Sequence, residues 1–229
     1  YVPSAFDKVE NKDLTPEERI RIKLQEFGIP VVTDETHIGP SIIQYTFKPS
    51  QGVRMATVSK LDRDLALALE AESLRIEAPI RGKNLIGVEV PKKNRQTIEL
   101  AECHLHKGTT DIPIGVNVMG ETIYKNIADM PHLLIAGATG SGKSVMLNVI
   151  ITALTKQLDA GDLNLVLIDP KQVELASFSK LPHLLKPIVT NSKEAITTLD
   201  EAVKTMESRY SALKKARCRT IEEFNKKGG

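Results

Sequence analysis

The chain has 229 residues, which suits one large domain or two small ones; 41% are hydrophobic and only 4% aromatic with no Trp, so any core is aliphatic. A net charge of +2 leaves contact with nucleic acid to local patches, and the two cysteines, Cys103 and Cys218, lack metal-ligand spacing and read as thiols of a reducing compartment. No apolar run approaches the ~20 residues of a membrane span and no signal peptide is visible; the first residue is Tyr1, so an anchor, if there is one, is expected outside this sequence.

Residues 1–13 are polar and patternless, a lead-in. Thr15-Pro16-Glu17-Glu18 starts a helix: Thr15 caps, Pro16 takes the first helical position and Glu18 completes a capping box. Ile20, Leu24 and Phe27 give its apolar face and Gly28 its stop. Extended runs follow at Ile29–Val32 and Ser41–Phe47, the second bounded by Gly39-Pro40 and Pro49. Leu61–Leu74 reads as a second helix, buried through Leu61, Leu65, Ala68, Leu69 and Leu74. Arg75–Ile80 and Leu85–Val90 read as strands joined by Arg81-Gly82-Lys83-Asn84. Residues 14–105 are thus expected to form a small α+β domain.

From 106 to 229 the pattern changes. After a polar connection, Ile112–Val118 and Thr122–Tyr124 can pair around Met119-Gly120-Glu121. His132–Ala136 reads as a short buried strand, Val145–Leu154 as a helix and Leu163–Asp169 as a second strand, the alternation of a parallel α/β sheet. Asn191 or Ser192 caps a long helix to about Ala216. Its stripe of Ile196, Leu199, Val203, Met206, Tyr210 and Leu213 is expected to pack on the sheet. Thr220-Ile221-Glu222-Glu223 is a further capping box.

Between the first strand and its helix lies Gly137-Ala138-Thr139-Gly140-Ser141-Gly142-Lys143-Ser144, the pattern G-x-x-x-x-G-K-S of a phosphate-binding loop. Gly137, Gly140 and Gly142 would tolerate dihedrals that a Cβ forbids. The amides of Thr139 to Ser144 would point at a polyphosphate, at the positive end of the helix. Lys143, the candidate catalytic residue, would reach the β/γ oxygens of ATP, and the Ser144 hydroxyl would ligate Mg²⁺. A hydrolytic site also needs a carboxylate at a strand end, usually followed by Glu. Asp169 ends such a strand, but Pro170 follows it and the next carboxylate is Glu174, so Asp169 reads as a metal-site or a loop-shaping residue. With no catalytic carboxylate, the chain would bind nucleotide better than it hydrolyses it.

Met130-Pro131-His132-Leu133-Leu134-Ile135-Ala136, the loop and Val145 resemble the P-loop region of the FtsK/SpoIIIE DNA translocases. The resemblance continues through Leu167-Ile168-Asp169-Pro170-Lys171, Leu181-Pro182-His183-Leu184-Leu185 and Met206-Glu207-Ser208-Arg209-Tyr210. Upstream, Leu61-Asp62-Arg63-Asp64-Leu65-Ala66 and Pro79-Ile80-Arg81-Gly82-Lys83 resemble the family's smaller domain. The resemblance implies a RecA-like P-loop ATPase domain beside a small α+β domain, in a ring of six copies that pulls double-stranded DNA by ATP hydrolysis during cell division or sporulation. It adds Val145, Asp169 and Lys171 to the candidate nucleotide-binding set. It implies a cytoplasmic motor portion of a protein anchored in the bacterial inner membrane. It also places the Walker B strand and a sensor beyond Gly229, so the ATPase domain would be incomplete in this sequence.

Duplex-pulling rings hold phosphates, with little regard to sequence. The basic clusters are Arg81, Lys83, Lys92, Lys93 and Arg95, and Lys214, Lys215, Arg217 and Arg219, each as readily a solvated face as a DNA contact. Arg209 would reach a neighbouring subunit or pair locally. Two other functions remain open: a secretion or conjugation ring ATPase moving protein or single-stranded DNA, and a non-hydrolysing nucleotide-binding assembly module.

Overall fold

The computed structural model describes residues 14–130 and 132–228. The lead-in over residues 1–13 lies outside them, as do Pro131 and Gly229. The chain divides into two compact units. The first runs to His104 and takes in Pro113–Lys125; the second has Leu105–Ile112 and the chain from Asn126 onward.

In the first unit, α1 (Pro16–Glu26) begins at the expected capping box, with both reciprocal bonds made. Ile20 and Leu24 are buried, and Gly28 stops the helix at φ +73°. Phe27 departs from expectation. It sits past the last turn as the C-cap, and its half-exposed ring faces the Lys23 ammonium at 5.5 Å. The sheet joins β1 (Val31–Ile38), β2 (Ile42–Pro49), β3 (Arg75–Glu77) and β4 (Ile86–Pro91) in the antiparallel order β1-β2-β4-β3. β1 runs past Val32 through the polar Thr33–His37 because β2 pairs along it. The register shifts between Thr33 and Thr36, where Thr46 Oγ1 accepts the Glu35 amide at 2.9 Å.

The helix expected over Leu61–Leu74 is shorter, α3 (Asp62–Ala68), and a separate one-turn helix that the sequence reading did not include, α2 (Met55–Val58), precedes it. Glu70 takes φ +52° and Ala71 N donates back to Ala66 O at 2.9 Å. That left-handed stop ends α3 and releases Leu74 toward β3. Phe47, Ile20, Leu24, Val58, Leu65, Ile86 and Val88 close one core between helices and sheet, with the Phe47 and Tyr45 rings departing from the aliphatic core expected. A two-stranded ladder, β5 (Asp111–Val116) with β6 (Thr122–Asn126), follows.

The second unit is built on α4 (Lys143–Gln157). One side of it, Ile150, Ala153 and Leu154, packs with Ile112; another, Ile151, packs with Leu167 and Leu175. The strand expected at His132–Ala136 is not formed: Leu134 is 90% exposed and only Ile135 reaches a core. Leu163–Asp169 is extended but, among the described residues, pairs on one side only, through parallel bridges Leu165–Leu184 and Ile168–Val189. Leu165 N donates to His183 O at 2.7 Å and Asp169 N to Val189 O at 2.8 Å, while Val166 is exposed. A strand exists only where another backbone takes its bonds, and among the described residues nothing takes those of 132–136.

α5 (Ser192–Lys215) is capped by Asn191, whose Oδ1 accepts Glu194 N at 2.9 Å. Its apolar stripe is not packed on a sheet as expected. Ile196, Leu199, Val203, Met206 and Tyr210 are exposed, and a groove of about 490 Å³ runs beside them to Val166 and Leu185. α6 (Ile221–Lys226) follows its Thr220 cap. Among the described residues no helix is long and apolar enough to cross a membrane.

A phosphate-binding loop at the uncapped start of α4

The long helices begin in two ways. α1 and α5 have a side-chain cap and acidic residues in the first turn, which neutralise the positive helix end. α4 has neither: its N-cap is Gly142 at φ +95°, with no side-chain bond and no acid, and its first residue is a lysine. The first bond of the helix is Met146 N to Gly142 O at 2.9 Å. Among the described residues, the amides of Thr139, Gly140, Gly142, Lys143, Ser144 and Val145 have no acceptor. Free amides and an uncompensated dipole at one point make an anion site.

The loop geometry sharpens the role of each glycine. Gly140 (φ +79°) and Gly142 need left-handed backbone. Gly137 does not; its role is one of space, since a Cβ there would lie 3.1 Å from the Ser141 Cβ and make the Ser141 hydroxyl turn away. Ser141 N donates to Ala138 O at 3.1 Å, closing a turn, so this amide leaves the set expected to face phosphate. Lys143 folds back over the loop, its Nζ donating to Gly137 O at 2.9 Å and Ala138 O at 2.8 Å. An ammonium has three protons, so one remains for a ligand. The Ser144 hydroxyl has no hydrogen-bond partner among the described residues.

Asp169 is buried and fully engaged elsewhere. Oδ1 accepts Lys171 N and Gln172 N at 3.2 and 3.1 Å, and Oδ2 accepts Glu174 N and Leu175 N, both at 3.1 Å. The Leu175 amide, then those of Lys171, Gln172 and Glu174, holds the carboxyl below the usual aspartate range against the opposing effect of burial. Asp169 is the anchor of the loop that carries the exposed Lys171. Among the described residues no hydrogen bond or ion pair joins either of them to 137–144. Arg209 has no local ion pair among the described residues and borders the α5 groove. The basic clusters are exposed except Lys92, which donates to Gly39 O at 3.3 Å.

Residue-by-residue reading of the sequence missed what holds the other end of α4. His183, buried, donates from Nε2 to Leu158 O at 2.9 Å, and Gln157 is buried with both ends of its amide engaged. A polar residue ending an apolar helix was the available signal for Gln157.

A left-handed glycine loop, free amides and a lysine in position together define a P-loop nucleotide-binding protein. The pattern of the FtsK/SpoIIIE family matches residues 95–229, and that of the FtsK alpha domain residues 4–92. The chain belongs to the FtsK/SpoIIIE family: it is a RecA-like α/β P-loop ATPase unit preceded by a small α+β unit. DNA translocase FtsK of Streptococcus pyogenes serotype M3 (strain SSI-1) is 43% identical over 208 residues, 89% of this chain and 26% of its own. DNA translocase FtsK of Streptococcus pneumoniae (strain ATCC BAA-255 / R6) is 42% identical over 229 residues, 94% of this chain and 30% of its own. The chain thus spans less than a third of the length of these relatives. The pCW3 conjugation coupling protein TcpA, solved as a monomer with ATPγS, aligns over 93% of this chain and 60% of its own at a TM-score of 0.48 and 19% identity. At those values the likeness carries no argument.

Proposed function

We propose that this chain is the nucleotide-binding part of an ATP-driven double-stranded DNA translocase, acting in a ring of six copies during cell division or sporulation. The observation that carries this is the P-loop with its lysine in place, in a chain whose relatives are named DNA translocases. The 14–105 segment would be the small domain and 106–229 would belong to the motor domain, although Pro113–Lys125 lies in the first compact unit.

In this reading the amides from Thr139 to Val145, except that of Ser141, hold the phosphate oxygens, and α4 directs its positive end at them. Lys143 spreads its charge over the β/γ oxygens, where negative charge moves as the phosphoryl group transfers. Ser144 would offer its hydroxyl to Mg²⁺, whose charge would offset that of the phosphates. Asp169 keeps the 170–175 loop folded, and Lys171 on that loop would serve the γ-phosphate. Duplex DNA is the partner by its phosphates. The full-length protein would be anchored in the inner membrane with this part in the cytoplasm.

Lys143→Ala in the intact motor is expected to lower ATP turnover by about 100-fold or more and to stop translocation. Wild-type turnover in that variant sinks the proposal. Stimulation of turnover by duplex DNA, rather than by single strands or polypeptide, separates it from a conjugation or secretion motor.

The engagement of Asp169 favours a second reading for the chain alone. Both oxygens serve the loop, so neither activates water, and the isolated chain binds nucleotide without hydrolysing it. Steady-state phosphate release by the isolated chain overturns that reading.

A further inference from the structure

The polypeptide passes between the two units three times, at 104/105, 112/113 and 125/126. Within the second unit, the residues next to these crossings are bound to the C-terminal end of α4. Gln157, the last residue of α4, is 3% exposed. Its Oε1 accepts His106 N at 2.7 Å, its Nε2 donates to Asp111 O at 2.7 Å and its carbonyl accepts Gly108 N at 2.9 Å. The neighbouring Lys156 carbonyl accepts Lys107 Nζ at 2.6 Å. The third crossing joins through Asn126, whose Nδ2 donates to Asp111 Oδ1 at 3.0 Å and whose Oδ1 accepts the Thr110 hydroxyl at 2.7 Å and the Ala128 amide at 2.9 Å.

We propose that Gln157 is a positioning residue that ties the phosphate-loop helix directly to the 106–111 loop between the first two connections and, through Asp111, to the third. The helix ends that water normally satisfies are satisfied here by the connecting loop. A leucine would fill the same buried space and keep the main-chain bond from Gly108 N, but it would lose the two side-chain amide bonds, to His106 N and Asp111 O, that fix the path of 106–111. α4 has 15 residues, hence a length of about 22 Å, and carries the phosphate loop at its other end. A shift of its first turn onto a phosphate is carried along the helix to Gln157 and so to the connections. The free energy of nucleotide binding then reaches segments far from the nucleotide, which the loop 137–144 alone does not explain.

This inference rests on nucleotide binding at 137–144, and the test separates the two. Amide hydrogen exchange of the whole chain is measured with and without Mg²⁺–ADP and Mg²⁺–ATPγS, alongside nucleotide affinity. In the wild type, exchange in 105–112 and 126–128 is expected to slow by about threefold or more on binding, beyond the protection of 139–145. Gln157→Leu is expected to bind nucleotide within about twofold of wild type while losing the distant protection. Gln157→Glu keeps the acceptor for His106 and recovers part of it. Wild-type protein that binds nucleotide with no change at 105–112 overturns the proposal without recourse to any variant. So does Gln157→Leu that keeps the change. A wild type that binds no nucleotide overturns the reading of the loop and this proposal with it.

Discussion

The two units use the same kinds of residue to opposite effect. In the first, helices and sheet close one core: β2 lies between β1 and β4, and Phe47 is wholly buried with α1 and α3 residues, while single apolar side chains such as Val32, Ile38 and Leu67 stay exposed. In the second, α4 is packed on two sides, yet Leu134, Val166 and five stripe residues of α5 face outward. Hydrophobicity is therefore no guide to burial by itself. A segment is buried where partner backbone and side chains are present to take it, and left open where they are not.

Paired truncations break or sharpen that contrast. Phe47→Ala removes a ring from a closed core and is expected to cost about 3–5 kcal/mol, the largest stability effect here. Leu134→Ala removes a residue that touches water on almost every side and is expected to cost about 0.5 kcal/mol or less. Denaturant titration of both variants checks the pair. Comparable losses would mean that Leu134 is covered in solution and that the contrast between the units is false.

The first unit was the more legible from sequence because its signals are local. Thr15, Pro16 and Glu18 state a helix start in four residues, and the cap forms as read. The polar length of β1 was not legible, since Thr33–His37 form a strand only against β2. The α3 stop was not legible either, because Glu70 is a poor choice for left-handed backbone and gives no glycine signal. In the second unit the phosphate loop was plain in its glycines and lysine. What Gly137 is for, and that Ser141 spends its amide on a turn, needed coordinates. His132–Ala136 read as a strand because strand propensity is a property of the segment and strand formation is a property of its neighbours.

The Asp169 loop gives a second, smaller test, set where an open unit is held by one charged group. Asp169→Asn leaves one acceptor oxygen and turns an NH₂ toward two amide donors. Exchange at Lys171, Gln172, Glu174 and Leu175 is expected to quicken by about tenfold, with the first unit unaffected. The pH dependence has a definite sign. The folded carboxyl titrates below its unfolded value, so its contribution is complete above the ordinary aspartate range and is lost as pH falls through the lower, folded value. Loop protection that stays flat down through strong acid, or an Asn variant with wild-type exchange, removes Asp169 as the anchor.

A further small effect compares one backbone feature in both units. Glu70 ends α3 and Arg217 follows α5, each at positive φ, +52° and +53°, and each with the next residue bonded back into the helix: Ala71 N to Ala66 O at 2.9 Å and Cys218 N to Leu213 O at 3.0 Å. Glycine relieves the left-handed strain at either site, for a net gain of about 0.5–1 kcal/mol after its own greater loss of chain entropy. The gains should be read out differently. α3 contributes Leu65 to a closed core, so Glu70→Gly raises the global unfolding midpoint, the loss of its long contact to Arg19 (3.8 Å) being minor. The last turns of α5 bury little, so Arg217→Gly slows local exchange there and leaves the midpoint nearly unchanged. Equal shifts of the midpoint in both variants would show that the end of α5 unfolds together with the closed core, and the distinction between the units would fail at its most exposed helix.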